Sequence, residues 1–329
     1  MKKVLITGIN GFAGSHLADL CLAKDDVRLY GVKRSHLSNT KNVLHIEDKI
    51  EWFTTDLLDA KAVLKTIRAI KPDIIFHLAA QSFVSQSWNH PTLFMAGNYN
   101  MTVNILEACL ECGINPRIHL PGSVSDYGDV TEEELPLNPD SRLKPVNPYC
   151  VSKIAQDFIG YVYFRSYGSN VIRTRAFNHE GPRRDKVFGI PSYAYQIAKI
   201  ENGLQEPVIK VGHIDDLRAF THVKDMVNAY WLAVEHCSVG ELYLIGSEDE
   251  KYVHTFREAL EMLIGFSNVE GITYKTHPDF VRPTNVPKLT CDASKFTKAT
   301  NWSPKLDFET LLSDTLNYWR AEFKRGAVR

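Results

Sequence analysis

The sequence has little that would direct it to a nucleic acid, a membrane or a disulfide framework. Its net charge is −1 over 329 residues, so we expect no bulk attraction to nucleic acid or to an anionic surface. No apolar run approaches the ~20 residues of a membrane span, and the chain enters a strand-like run at once, which predicts no signal peptide. Six cysteines are scattered, and Cys109 and Cys112 form a lone C-x-x-C without further ligands nearby. We therefore expect reduced thiols, no metal site and a cytoplasmic protein.

The composition, 44% apolar and 23% charged, is ordinary for a soluble globular chain. Apolar β-branched runs alternate with helical patterns through the first half, which predicts an α/β fold: a Rossmann-like, doubly wound parallel sheet. We expect a cofactor-binding domain over residues 1–177, with returning segments near 215–246, and a smaller mixed α/β substrate-binding domain over 178–329. Strands are predicted at 4–7, 27–32, 50–54, 74–78, 118–121 and 171–175, and an edge strand at 242–245.

A glycine-rich turn follows the first predicted strand. Gly8, Gly11 and Gly14 stand between that strand and a helical pattern, in the spacing G-x-x-G-x-x-G. Strand, glycine turn and helix together are typical of a dinucleotide-binding turn, with the diphosphate at the helix N-terminus. Asn10 and Phe12 lie in the same turn and are assigned to the cofactor with it. The alternative is a plain glycine-rich loop.

The residues after the second and third strands indicate which cofactor is bound. Lys33, Arg34 and Ser35 stand where many NAD-binding proteins place an acid, which predicts NADP(H), with NAD as the alternative. A solvated basic loop would have the same appearance. After the third strand, Asp56 and Leu57 are predicted to flank the adenine, although Asp56 would equally suit the cap of the next helix.

The fourth strand ends in HLAAQS, where small residues would let the backbone approach the cofactor. His77 is interpreted as a core histidine. We assign Leu78, Ala79 and Ala80 to the cofactor and Gln81 and Ser82 to the substrate.

Tyr149 and Lys153, four residues apart in NPYCVSK, would share one face of a helix. A cation beside a phenol favours the phenolate and lowers its pKa, so the pair could exchange a proton with an alcohol or a carbonyl. Ser123, after the fifth strand, could hold the same oxygen, although a turn serine is the alternative.

These pieces together resemble the extended short-chain dehydrogenases/reductases that act on nucleotide sugars. The matching runs are ITGINGFAG, TTDLLD, HLAAQS, SVSDYG and PYCVSK. The resemblance implies that Ser123, Tyr149 and Lys153 carry catalysis, that Lys153 also holds the nicotinamide ribose, and that Asn98 orders a helix nearby. It also implies dimerisation through the helices near 96–112 and 149–167, with a tetramer left open.

The second half resembles GDP-mannose 4,6-dehydratases and the related 4-keto-6-deoxymannose reductases through FNHEGPRR, VGHIDDLRAFTHVKD and VRPTNVPKLTCDASK. That similarity implies that a GDP-mannose-type nucleotide sugar is the substrate. It also implies that its diphosphate and base are bound by Asn178, Arg183, Arg218 and Arg282. A guanidinium suits bidentate phosphate binding.

One position departs from the dehydratases. Their glutamate, which removes the C5 proton, corresponds here to Ser125, and a serine is no general base at pH 7 without an activating partner. Asp126 should point elsewhere by parity, and Glu133 and Glu180 are other carboxylates that the fold might bring close. Dehydratase-like chemistry therefore stands beside 4-keto-sugar reduction or 4-dehydrogenation, with 4-epimerisation or non-catalytic nucleotide binding as remoter alternatives.

Overall fold

The chain is built on one seven-stranded parallel sheet and three small sheets. The computed structural model describes residues 1–247, 249–281 and 286–326. Its strands in chain order are β1 (Lys2–Thr7), β2 (Val27–Lys33), β3 (Glu51–Thr54), β4 (Ile74–His77), β5 (Arg117–Ser123), β6 (Val171–Ala176), β7 (His179–Glu180), β8 (Val208–Val211), β9 (Leu217–Ala219), β10 (Thr221–His222), β11 (Leu242–Ile245), β12 (Val253–Thr255), β13 (Thr273–Thr276) and β14 (Lys288–Leu289).

The helices lie between and after these strands. They are α1 (Phe12–Leu22), α2 (Ala60–Ile70), α3 (Val84–Asn89), α4 (Pro91–Met95), α5 (Met101–Glu111), α6 (Pro148–Tyr167), α7 (Gly189–Glu201), α8 (Val223–His236), α9 (Phe256–Gly265), α10 (Ser294–Thr300) and α11 (Phe308–Lys324).

The main sheet has the order β11-β6-β5-β4-β1-β2-β3, and every neighbouring pair in it is parallel. The order reverses between β1 and β4, so a crevice opens there at the carboxyl ends of the strands. The predicted α/β fold is confirmed. The edge strand predicted at 242–245 is also confirmed, because β11 pairs with β6.

Each face of the sheet is covered by helices, which explains why its strands are nearly continuous apolar runs. Val4 and Ile6 face a core that contains α1 and α8. Leu5, between them, faces the opposite core, which contains α2 and α5. The alternation of β1 residues between two buried cores is the period-two geometry of a strand.

The chain from α7 onward forms a further core, separate from the two that cover the main sheet. Helices α7, α9 and α11 pack together through residues such as Ile197, Leu260 and Leu312, each fully buried. This part of the chain also contributes strands to the three small sheets, β13-β8, β10-β7 and β12-β9-β14. No helix among the described residues is long and apolar enough to cross a membrane.

Candidate functional site

A large cavity, of about 1290 Å³, lies over the carboxyl ends of the central strands. Its wall is continuous from the glycine turn after β1 to residues of the last third of the chain. The sequence-predicted residues that line it are Gly8, Asn10, Gly11, Phe12, Gly14, Arg34, Asp56, Leu57, Leu78, Ala79, Ala80, Gln81, Ser82, Ser123, Ser125, Tyr149, Lys153, Asn178 and Arg218.

The glycine turn is built by close backbone approaches that side chains would block. Gly8 has a φ of +68°, and a Cβ there would lie 2.7 Å from the nitrogen of Ala79. A Cβ on Gly14 would lie 2.2 Å from the Gly8 carbonyl oxygen. Gly11 begins α1 without any side-chain cap, so the first N–H groups of the helix face the cavity wall unblocked. This cradle fits the diphosphate of a dinucleotide.

The loop after β2 brings one of its three predicted residues to the cavity. Arg34 lines the wall and pairs with Asp56, with 3.1 Å between Nε and Oδ2. Lys33 lies outside the lining, because its ammonium rests 5.2 Å from the centre of the Trp52 ring on the neighbouring strand. Ser35 accepts a hydrogen bond from the backbone N–H of Leu37 and shapes the loop instead.

Ser38, which the sequence reasoning did not select, lines the cavity beside Arg34. Its hydroxyl accepts from the Ser35 backbone N–H at 3.1 Å. The basic run at 33–35 predicted a phosphate site at this loop. The hydrogen bonds of the loop determine that Ser38, and not Ser35, lines the cavity.

The loop after β4 is held by two buried polar residues. His77 is a core histidine as predicted: it is 1% exposed, and its ring nitrogens bond the hydroxyls of Thr7 and Thr102. Asn98 accepts from the Gln81 N–H at 2.7 Å and donates to the Ser152 hydroxyl at 2.9 Å. Asn98 thereby ties this loop to α6, which carries Tyr149.

Helix α6 starts at a fixed point beside the cavity. Asn147 caps it by accepting the Cys150 N–H at 2.9 Å, and Pro148 occupies the first turn. Both features favour a helix start. The cap places Tyr149 and Lys153 on the cavity wall, next to Ser123 at the end of β5.

Burial determines the electrostatics of this trio. It raises the pKa of Tyr149, the charge of Asp126 adds to the shift, and a hydrogen bond with Ser123 opposes it. Burial also lowers the pKa of Lys153 to about 8, against the charges of Asp126 and Asp157. The pKa of Tyr149 is thus raised, whereas the sequence predicted that Lys153 would lower it. The Lys153 ammonium instead donates to the Pro121 carbonyl at 2.6 Å and to the Gln156 side chain.

Ser125, which the family resemblance aligns with a glutamate, lines the cavity, whereas Asp126 and Glu133 do not. Asp126 is fully buried behind the loop, where it accepts the Ser123 N–H at 3.2 Å and faces Arg175 at 3.7 Å. The prediction that the Asp126 side chain points away from the cavity is confirmed. Glu133 is exposed on a short helical turn.

Glu180 does reach the cavity wall. It is 2% exposed, and its Oε2 lies 3.2 Å from Nε of Arg184. Burial raises its pKa to about 7, and the charge of Arg184 opposes that shift. Two carboxylates besides Glu180 line the cavity among the described residues, Asp56 and Asp216.

Arg184 lines the cavity in the position predicted for Arg183. Arg183 has a φ of +70°, and its guanidinium turns outward to Asp19 at 2.7 Å. Arg184 donates to the His179 carbonyl and lies over the rings of Phe12 and Phe188. The structure thus does not bring Arg183 to the site. Arg183 and Arg184 are adjacent in the sequence, and the sequence predicted that Arg183 would bind the substrate. With the left-handed backbone at Arg183, it is Arg184 that lines the cavity.

The remaining predicted substrate residues differ in their surroundings. Arg218, on β9, donates to the carbonyls of Leu217 at 2.8 Å and Pro287 at 3.1 Å while lining the cavity. Arg282 lies outside the described residues. Tyr230, on α8, lines the cavity although the sequence reasoning did not select it.

The chain is similar to known proteins over nearly its whole length. The sequence profile of the family described as GDP-mannose 4,6 dehydratase matches residues 5–315. A GDP-mannose 4,6 dehydratase of Drosophila melanogaster is 30% identical, covering 96% of this chain and 85% of that protein. A GDP-6-deoxy-D-mannose reductase of Pseudomonas aeruginosa is 28% identical, covering 98% and 99%.

Solved structures show the same architecture. The structure of RMD from Pseudomonas aeruginosa complexed with NADPH has a TM-score of 0.84 and 27% identity, covering 98% of this chain and 100% of that chain. A UDP-glucose 4-epimerase of Thermus thermophilus, solved with NAD, has a TM-score of 0.82 and 27% identity, covering 99% and 100%.

The sheet order, the glycine turn and the Ser–Tyr–Lys trio define an enzyme of the extended short-chain dehydrogenase/reductase type. Within that class, the match over residues 5–315 shows that the chain belongs to the GDP-mannose 4,6 dehydratase family.

Proposed function

We propose that this protein is an NADP-dependent enzyme that transfers a hydride at C4 of a GDP-mannose-type nucleotide sugar, in the manner of a GDP-mannose 4,6-dehydratase. The observation that carries the proposal is the meeting of Ser123, Tyr149 and Lys153 on the wall of the cavity that also contains the glycine turn. One cavity therefore brings a dinucleotide cradle next to a proton-transfer group.

The cofactor assignment rests on the cradle and on Arg34. The free start of α1 suits the diphosphate, and the Arg34 guanidinium, at the end of β2, suits the 2′-phosphate that distinguishes NADP from NAD. NADP(H), when bound, supplies or accepts the hydride. Residues 1–177, with the returning segments near 215–246, would form the cofactor domain, and residues 178–329 would mainly bind the sugar nucleotide.

The chain's own groups then move one proton at C4. A tyrosine with its ordinary pKa of about 10 is already protonated at neutral pH, and burial raises the pKa of Tyr149 further, so its phenol can donate to a C4 carbonyl oxygen. Ser123 holds that oxygen. Lys153 orients the ribose and supplies positive charge near the phenol when its hydrogen bonds to the protein are exchanged. Arg218 and Asn178 are proposed to bind the nucleotide.

A second candidate, reduction of a 4-keto sugar, is favoured by Ser125. Elimination of water requires a base at C5, and Ser125 offers none. A protonated Tyr149 also suits reduction, because reduction adds a hydride to C4 and a proton to the oxygen on C4.

The test is to incubate the protein with GDP-mannose and NADP⁺, and separately with a GDP-4-keto-6-deoxy sugar and NADPH, and to analyse both by mass spectrometry. Loss of one water from GDP-mannose identifies the dehydratase, and gain of two hydrogens by the keto sugar identifies the reductase. No turnover of either substrate, with the Tyr149→Phe variant indistinguishable from wild type, would contradict the proposal.

We also propose a cytoplasmic homodimer. Cys21, Cys109, Cys112, Cys150 and Cys237 form no disulfide among the residues that the structure describes, which suits a reducing compartment. Helix α6 exposes Val151, Phe158 and Val162, each 45–49% exposed, at the i, i+7, i+11 spacing of one helix face. A second copy packing on this face would cover it.

A further inference from the structure

Tyr230 is a tyrosine on the wall of the cavity, outside the Ser–Tyr–Lys trio. The residue lies on α8, is 3% exposed and lines the cavity. Among the residues that the structure describes, none makes a hydrogen bond to its phenol oxygen. Because the residue lines the cavity, its hydroxyl is available to a bound molecule rather than enclosed by protein. The hydroxyl is therefore a candidate for contact with a ligand.

The surroundings of Tyr230 indicate which part of a ligand it would meet. Its ring lies 4.6 Å from the ring of His119 on β5 and 6.4 Å from that of His179, three residues after β6. Burial raises the pKa of Tyr149, and Tyr230 is among the neighbours whose charge adds to that shift. Tyr230 and Tyr149 therefore flank the same region over the ends of β5 and β6.

The sheet order assigns that region to one half of a dinucleotide. The diphosphate cradle follows β1, and Arg34 and Asp56 follow β2 and β3 on one side of it. Since the adenosine end lies on that side, the nicotinamide end must lie over β4, β5 and β6. Tyr230 stands at this second end.

We propose that Tyr230 is a positioning residue whose hydroxyl donates a hydrogen bond to the nicotinamide carboxamide. The inference rests on the proposed cofactor and extends it to a residue outside the Ser–Tyr–Lys trio. Burial raises the pKa of Tyr230, so the phenol remains a donor through the neutral pH range. Tyr230 on α8 would hold the nicotinamide on one side, and Tyr149 on α6 would contact the oxygen on C4 of the sugar on the other side.

The test is the Tyr230→Phe variant, with binding measured by calorimetry for NADPH and for 2′,5′-ADP, which lacks the nicotinamide. One lost neutral hydrogen bond predicts about three- to tenfold weaker NADPH binding and unchanged binding of 2′,5′-ADP. The ligand-free variant should melt no lower than wild type, because the hydroxyl has no protein partner to lose.

Tyr243→Phe is the matched control. Its hydroxyl accepts the Ser238 N–H at 3.1 Å away from the cavity, so this variant should lose stability and keep its NADPH affinity. Equal NADPH affinity of wild type and Tyr230→Phe would overturn the inference and leave the proposed function intact, as would a parallel loss of 2′,5′-ADP binding. A wild-type protein that binds no NADPH would instead overturn the proposed function itself.

Discussion

The ammonium of Lys153 donates a 2.6 Å hydrogen bond to the carbonyl of Pro121, two residues before Ser123. This bond joins α6 to the end of β5 and fixes the spacing of the trio. Burial raises the pKa of the neighbouring Tyr149, so its phenol is a proton donor at neutral pH.

Replacing Arg34 by alanine should weaken NADPH binding by about tenfold or more, since a hydrogen bond to a charged group contributes roughly 1.5–3 kcal/mol. NADH binding should change little, because NADH lacks the 2′-phosphate. Fluorescence titration with both cofactors measures this. The Lys33→Ala variant is the control, because Lys33 faces Trp52. An equal loss for both cofactors would contradict the role of Arg34.

Replacing Ser125 by glutamate should increase water loss from GDP-mannose, because it puts a carboxylate on the cavity wall where the family resemblance predicts the C5 base. Ser125→Gln has nearly the same shape and no base, so it should not. The yield of the 4-keto-6-deoxy product is measured by mass spectrometry. Equal yields from the two variants would show that position 125 does not control elimination.

Stability should depend on pH through Glu180. Its folded pKa is raised to about 7, above the ~4.3 of an unfolded glutamate, so the folded state binds more protons between these values. Its contribution to stability is present below about pH 4 and is lost as pH rises towards 7. Urea unfolding at pH 5 and pH 7.5 should show a smaller loss for Glu180→Gln than for wild type.

The exposed Glu133 provides the comparison for this measurement, because its carboxylate is not buried. Glu133→Gln should retain the pH dependence of the wild type. Identical slopes for wild type and Glu180→Gln would show that Glu180 is not protonated in the folded state over this range.

Much of the fold could be predicted from the sequence, because the apolar patterns of strands and helices and the glycines between them indicated the same elements. The apolar run of β1 and the glycines after it predicted strand, turn and helix, and the close approach of Gly14 to Gly8 explains why glycine is required there. The predictions that were wrong concern side chains whose direction depends on residues that are close in space but distant in the sequence, or on the local backbone. The ammonium of Lys33 lies over the ring of Trp52 on the adjacent strand. Arg183 has a left-handed backbone, and its side chain points away from the cavity.

Tyr230 could not be found from the sequence for a similar reason. It sits among buried apolar residues of α8, where a tyrosine has the pattern of a core residue. The fold packs that helix against β5 and β6 and puts Tyr230 on the cavity wall.

The exposed face of α6 should mediate dimerisation. Phe158 is 49% exposed there, so Phe158→Glu should place an uncompensated charge in the proposed interface and shift the protein to monomer. Light scattering after gel filtration measures the mass. Leu204→Glu, at another exposed apolar residue, should leave the dimer intact. A wild-type protein that is monomeric at micromolar concentration would contradict this prediction.

The central claim is that Tyr149 transfers the proton at C4. Single-turnover hydride transfer by Tyr149→Phe, followed by NADPH absorbance, tests it most directly once calorimetry has shown that the variant still binds NADPH. We predict a rate about 10²–10⁴ times lower than that of wild type with cofactor affinity retained. A rate close to that of wild type would contradict the assignment.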